Sequence, residues 1–396
     1  MTEKLYEQNS LLKDCTGIVV NCLPKNDKFL VELDRTVFFP EGGGQLSDKG
    51  WLDNARVDYV TEKEGHIYHE CDKPLEIGSA VTAKLDWKVR LDRMQQHLGE
   101  HLLSFAVWKL FKANNTGFHM NEAFVTIDLD KVLTAEELQA AENLTNEIIW
   151  ENRPVTVSYL EDTEAAKLPM RKFNNNIKGL LRIIAVQDAD ICTCCGTHPP
   201  FTGMVGCVKI IRTEKYKQGQ RIEFLCGNRA VKDYGAKNQE LLRTAQMLSI
   251  KPSEVEKKVI KLKEELESAY EKLKAVKINE LQKLFAQAAE EAKQNQKNCS
   301  CAFIILEDSK DIKLLQPIAG NYSGLHTVIL AVQPERISYA AVAGPDTAGN
   351  CRNIIKILNE VFAGRGGGRD DSAQGGADYC SDWQEKLALA KAQLSV

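Results

Sequence analysis

From Asp233 to Gln296 the chain is nearly all helix-forming, and this stretch decides how the rest can be arranged. Pro252-Ser253 interrupts it, and Ser253 with Glu256 three residues on reads as a capping box that opens a second helix. Val255, Val259, Leu262, Leu266, Tyr270, Leu273 and Val276 then recur every three or four residues, with Lys and Glu between them. That pattern predicts a coiled-coil hairpin or a dimer seam whose charged residues form a solvated face. Such a segment separates one folded region before it from another after it.

The region before it begins with short strands. Thr16–Val20, Lys28–Leu33, Val57–Val60 and His66–His69 alternate or are β-branched, with turn signals at Asn26-Asp27 and Glu64-Gly65. Their close spacing predicts a small antiparallel β-barrel over residues 1–87. Within it, Gly42-Gly43-Gly44 before Gln45 permits positive φ and close backbone approach. The bland alternative for those glycines is a flexible hairpin tip. His66 and His69 alternate in a strand, which predicts surface or edge positions for them.

The period becomes helical from Asp86 to Phe111, with Leu91, Met94, Leu98, Leu102, Phe105 and Leu110 forming most of a stripe. A strand at 123–129 follows, then a helix opened by the capping box Thr134–Glu137, then strands at 154–160, 180–186, 204–211 and 221–226. The order predicts an α+β core over 88–230, an antiparallel sheet with helices on one face. The helical linker takes 231–296. Beyond it, 301–306, 327–332 and 338–343 read as strands buried on both faces, and 350–362 as a helix, giving a C-terminal α/β domain over 297–396.

Composition excludes little. The chain has 396 residues, 43% hydrophobic and 27% charged, with a net charge of −4. A nucleic-acid contact would have to be a local basic patch. The N-terminus lacks an apolar targeting segment and no apolar run approaches a membrane span, so the expected location is the cytoplasm. Of twelve cysteines, nine (Cys15, Cys22, Cys71, Cys207, Cys226, Cys299, Cys301, Cys351 and Cys380) read as small core hydrophobes. Cys192, Cys194 and Cys195 form the cluster that stands apart.

Two constellations carry chemistry. His97 and His101 lie four apart in the helical pattern, so both rings leave one face, a turn apart. Alone, such a pair is as well explained by packing. Cys194-Cys195-Gly196-Thr197-His198 supplies a thiolate and an imidazole from a glycine-containing loop. Two His, a Cys and a further His make a borderline-soft set suited to Zn²⁺. His97-x-x-Glu100-His101 also matches the inverted zinc-peptidase helix, with Glu100 as general base. In that reading the third ligand would be a carboxylate on another helix, whereas the candidates on offer are Cys194 and His198.

The motifs in this order resemble the alanyl-tRNA editing proteins, meaning the editing domain of alanyl-tRNA synthetase and its freestanding relatives. Thr36-Val37-Phe38-Phe39-Pro40-Glu41-Gly42-Gly43-Gly44-Gln45 is similar to the family's glycine-turn motif, with Gly42 where Ser is usual. His97-x-x-x-His101, Phe118-His119-Met120, Thr126–Leu129, Cys194-x-Gly196-Thr197-His198 and Arg221–Phe224 follow in family order. Gly366-Gly367-Gly368-Arg369 and its sequel resemble the glycine-rich signature of the synthetase's C-terminal domain.

The resemblance implies an editing hydrolase acting in trans on tRNA(Ala) mischarged with serine, or with glycine. It implies one zinc ion per chain on His97, His101, Cys194 and His198. Thr36, Gln45 and Glu100 would act at the substrate, with His119 a looser candidate. Arg365, Gly366, Gly367, Gly368 and Arg369 would grip tRNA phosphates from a loop. A homodimer through the coiled coil and C-terminal region is expected, and no membrane association. Two rivals stay open at this point: a zinc peptidase, and a non-catalytic tRNA-binding protein with structural zinc.

Overall fold

The computed structural model describes residues 1–171, 179–294 and 301–394. It is a mixed α+β chain in two compact units, Met1–Thr244 and Ala245–Val396. Cys299 and the outermost parts of the predicted C-terminal domain lie outside the described residues.

The first unit opens with a closed six-stranded barrel formed by Asp14–Lys25, Lys28–Leu33, Gly50–Leu52, Ala55–Lys63, His66–Cys71 and Ala80–Leu85. Alternation along each strand sends one set of side chains inward, where Val31, Leu33, Phe38, Leu52, Val57, Val60 and Ile67 make a dry core. His69 belongs to that inward set. It is fully buried, not at a surface or edge, because barrel closure leaves no solvent on its face.

The barrel is tied to the next element by an ion pair. Arg90, in the helix Trp87–Phe111, is fully buried and donates through Nε to both carboxylate oxygens of Asp48 at 3.0 Å. Its remaining N–H groups reach the carbonyls of Ser10 and Val37 and Asp48 Oδ2. Asp86 caps this helix, accepting from the N–H groups of Lys88 and Val89. Fifteen of its residues are buried, more than an amphipathic surface helix would have.

That helix lies against an antiparallel sheet of Val208–Tyr216, Gly219–Cys226, Val125–Leu129 and Asn115–Met120, in that order. Gly99 is what allows the approach, since a Cβ there would sit 2.2 Å from Cys226 Sγ. The Gln96 amide exchanges two 2.9 Å hydrogen bonds with the Cys226 backbone, locking the helix in register. The helix Ala135–Trp150 starts with the Thr134–Glu137 capping box. A second, three-stranded sheet joins Val155–Glu161, Leu180–Val186 and Ile191–Thr193. The strand expected at 204–211 begins only at Val208, because Thr202–Val205 forms a 3-10 turn.

In the second unit the helix Val255–Gln294 is preceded by a 3-10 turn at Pro252–Glu254. The turn is capped at Lys251, whose N–H donates to Glu254, ahead of the expected Ser253–Glu256 box. Leu281, Phe285 and Ala289 are buried, whereas Leu266, Tyr270, Leu273 and Val276 are 57–66% exposed. A five-stranded sheet runs Cys301–Leu306, His326–Val332, Arg336–Ala343, Ser372–Asp378, Arg365–Gly368, with only the first pair parallel. Apolar clusters form on both of its faces. Among the described residues no helix is long and apolar enough to cross a membrane.

Candidate metal centre

The site is assembled from three pieces of the first unit. The helix Trp87–Phe111 presents His97 and His101 on one face, ring centroids 5.1 Å apart. The segment after the strand Ile191–Thr193 brings Cys194 and His198 against them. The glycine turn between Gly42 and Gln45 closes the arrangement from the barrel. One ligand atom from each of His97, His101, Cys194 and His198 falls in a group within 4.8 Å of one another. Cys194 Sγ is 3.3 Å from His97 Nε2 and 3.3 Å from His198 Nε2.

Glycine is required twice to make this compact. Gly43 and Gly44 have φ of 58° and 80°, the double left-handed geometry of a tight two-residue turn, and the Gly42 and Gln45 backbones bond across it. At Gly196 a Cβ would sit 2.2 Å from His97 Cε1 and 2.8 Å from Gln45 Oε1, so no other residue fits beneath the His97 ring.

Each ligand ring is held from behind. His97 Nδ1 lies 2.7 Å from Gln45 Oε1. The same oxygen accepts from Thr197 N at 3.1 Å, while Gln45 Nε2 donates to Thr197 Oγ1 at 2.8 Å. His101 Nδ1 lies 3.1 Å from Asp190 Oδ2 and 3.0 Å from Cys192 Sγ. Arg182 Nη1 donates to the carbonyls of Cys194 and Gly196, pinning the ligand loop to the strand Leu180–Val186. Ser10 Oγ donates to the His198 carbonyl. His198 Nδ1 is buried without a hydrogen-bond partner among the described residues.

The electrostatics suit a cation. Burial raises the Cys194 thiol, but the adjacent His97 and His198 rings outweigh it and hold the thiol well below its ordinary value. Burial pushes His198 down to about 3, leaving a neutral imidazole. Burial also pushes Cys192 up to about 11, which keeps it a neutral thiol at pH 7. Ligand atoms this close, from one cysteine and three histidines, match the donor set of a tetrahedral zinc site.

His97, His101 and Cys194 of the cluster line a cavity of about 420 Å³, with Gly43, Glu100, Asn115, Phe118, Arg171 and Cys192. Glu100 is buried. Its Oε1 accepts from Ser104 Oγ at 2.6 Å and Asn115 Nδ2 at 2.7 Å, and its Oε2 stands 3.9 Å from His101 Nε2.

Two expected substrate contacts are located differently. Thr36 is fully buried, its hydroxyl 2.8 Å from His69 Nε2 and accepting from Phe38 N, so it faces the barrel interior. Gln45 has both amide ends committed to His97 and Thr197, so it supports a ligand and does not line the cavity. His119 is exposed on its strand. In the second unit the Gly366–Gly368 segment is an edge strand paired with Ser372–Asp378, not a loop. Arg365 is exposed there, and Arg369 pairs with Asp371 at 3.3 Å. Asp190, Arg171, Arg182 and Asn115 escaped the sequence reading, since each meets the site only through contacts distant in sequence.

Residues 181–223, which include Cys194 and His198, match the family described as the threonyl and alanyl tRNA synthetase second additional domain. The alanyl-tRNA editing protein AlaX-L of Pyrococcus horikoshii is 29% identical over 99% of this chain and 98% of its own length. The alanyl-tRNA editing protein Aarsd1 of Mus musculus is 28% identical over 99% of this chain and 98% of its own. Alanine–tRNA ligase of Pyrococcus abyssi is 29% identical over 94% of this chain but only 42% of its own length, so the chain spans less than half of that ligase. A second-additional-domain match over the loop that carries Cys194 and His198 and end-to-end similarity to two editing proteins make the chain similar, over nearly its whole length, to alanyl-tRNA editing proteins.

Proposed function

We propose that the chain is a metal-dependent hydrolase that acts in trans on tRNA(Ala) carrying serine, or glycine, in place of alanine. It cleaves the ester between the amino acid and the 3′-terminal ribose. The observation that carries this reading is the His97, His101, Cys194 and His198 cluster, three members of which line a cavity. Similarity to AlaX-L along nearly its whole length supports it.

A bound zinc ion would supply Lewis acidity and an anchor for the aminoacyl end. The chain's own residues do the rest. Gln45 fixes the His97 ring, and Arg182 holds the ligand loop. Glu100, oriented by Ser104 and Asn115, takes the proton of the attacking water at Oε2 and returns it to the departing ribose oxygen. Discrimination against alanine follows if the cavity's polar groups hydrogen-bond the serine hydroxyl, since they would go unpaired beside alanine.

The domain limits that fit this reading are a barrel over 1–87, an editing core over 88–230, a helical linker over 231–296 and a tRNA-gripping domain over 297–396. The exposed Arg365 and Arg369 on the glycine-rich edge would hold phosphates, and the uncovered stripe of the long helix would pair two copies of the chain. The setting is the cytoplasm. The test is deacylation of Ser-tRNA(Ala) by wild type and Cys194→Ala. Loss of activity in the variant is expected; hydrolysis of peptides but not of Ser-tRNA(Ala) would replace the proposal with the peptidase reading.

A further inference from the structure

We propose that Asp190, steadied by Arg171, is the positioning residue that decides which nitrogen of His101 serves the metal; this rests on the metal-centre reading above. Asp190 is 2% exposed and lies just before the strand Ile191–Thr193. A carboxylate buried that deeply needs partners, and among the described residues it has His101 and Arg171, one on each carboxylate oxygen. His101 Nδ1 is 3.1 Å from Oδ2, and Arg171 Nε donates to Oδ1 at 3.3 Å.

The consequence for His101 is geometric. Its Nδ1 sits between Asp190 and Cys192, both within 3.1 Å, so that nitrogen is occupied by protein. The nitrogen left to join the cluster with His97, Cys194 and His198 is Nε2. An anionic carboxylate accepts the Nδ1–H more strongly than a thiol does, so Asp190 fixes the tautomer and Cys192 fills space beside it. Arg171 contributes the counter-charge that lets a carboxylate remain ionised at this depth. Because Arg171 also lines the cavity, an occupant that engages its guanidinium would act on the same chain of contacts.

His101, Asp190 and Cys192 also form a cluster of metal-binding types on their own, so the rival is that Asp190 is itself a ligand of a second ion. Three measurements on the full chain separate these. Zinc stoichiometry and affinity are measured by competition with a chromophoric chelator for wild type, Asp190→Asn and Cys192→Ser. Imidazole ¹⁵N spectra of zinc-loaded wild type report which His101 nitrogen carries a proton. The expected results are one zinc per chain, Nδ1–H on His101, affinity lower by about 10–100-fold in Asp190→Asn, and little change in Cys192→Ser. The inference is overturned if wild type binds zinc and Asp190→Asn binds it equally well, if His101 binds zinc through Nδ1, or if wild type holds two ions and Asp190→Asn loses one. The spectra use wild type alone, so the test survives a variant that fails to fold. A wild type that binds no zinc would remove the metal-centre reading itself.

Discussion

Gln45 and His97 share a 2.7 Å contact that couples a turn of the barrel to the ligand helix. They are 52 residues apart, and Gly196, from a third segment, is packed beneath both. The centre is therefore a junction of three chain segments, and its precision depends on how tightly they close.

Gly196→Ala tests that closure. The added methyl would overlap the His97 ring at 2.2 Å and the Gln45 carbonyl oxygen, in a place where the backbone cannot retreat without moving Cys194 and His198. Zinc affinity should fall by at least about tenfold while far-ultraviolet circular dichroism stays near wild type. Unchanged affinity would mean that the loop relaxes freely.

Asp48→Ala probes the joint between barrel and helix. It leaves a fully buried Arg90 guanidinium facing only carbonyls. Breaking one side of such a pair costs about 3–5 kcal/mol, to be read by denaturant unfolding of the Met1–Thr244 region through its own tryptophans. The double variant Asp48→Ala/Arg90→Met should cost less, since it removes the buried cation along with its partner.

His69 gives stability a pH dependence apart from the metal centre. Burial lowers it from 6.5 to about 4 in the folded protein. Between those values the unfolded chain binds the proton more readily, so stability is complete above pH 6.5 and is lost as pH falls toward 4. The full effect is on the order of 3 kcal/mol. Chelator-treated wild type should show this slope in urea unfolding, and His69→Gln should flatten it.

The uncovered stripe of the helix Val255–Gln294 predicts association. Leu266 and Leu273 are 57% and 66% exposed. Sedimentation should show wild type as a dimer and Leu266→Glu/Leu273→Glu as a monomer. A monomeric wild type would assign the stripe to another partner.

Local pattern carried much of this into the sequence. The fourfold spacing of His97 and His101 and the short run from Cys194 to His198 needed only local geometry, as did the mixed α+β composition. Closure was not legible. Nothing near Thr36 announces that its hydroxyl would turn to His69, because the partner comes from another strand and only barrel closure brings them together. Gln45 was read as a substrate contact, and its bonds to His97 and Thr197 were not legible for the same reason. Asp190 precedes the cysteine run with no periodicity to mark it. The glycine-rich segment read as a loop because glycine weakens strands; pairing with Ser372–Asp378 overrides that preference, and a Cβ at Gly366 would come 2.3 Å from Gly375 Cα.

The most direct measurement compares hydrolysis of Ser-tRNA(Ala) and Ala-tRNA(Ala) by the zinc-loaded chain, with Cys194→Ala alongside. The account predicts that the serine ester is cleaved faster by about 100-fold or more, and that the variant loses this activity. Equal cleavage of both esters, or undiminished cleavage by Cys194→Ala, would contradict it.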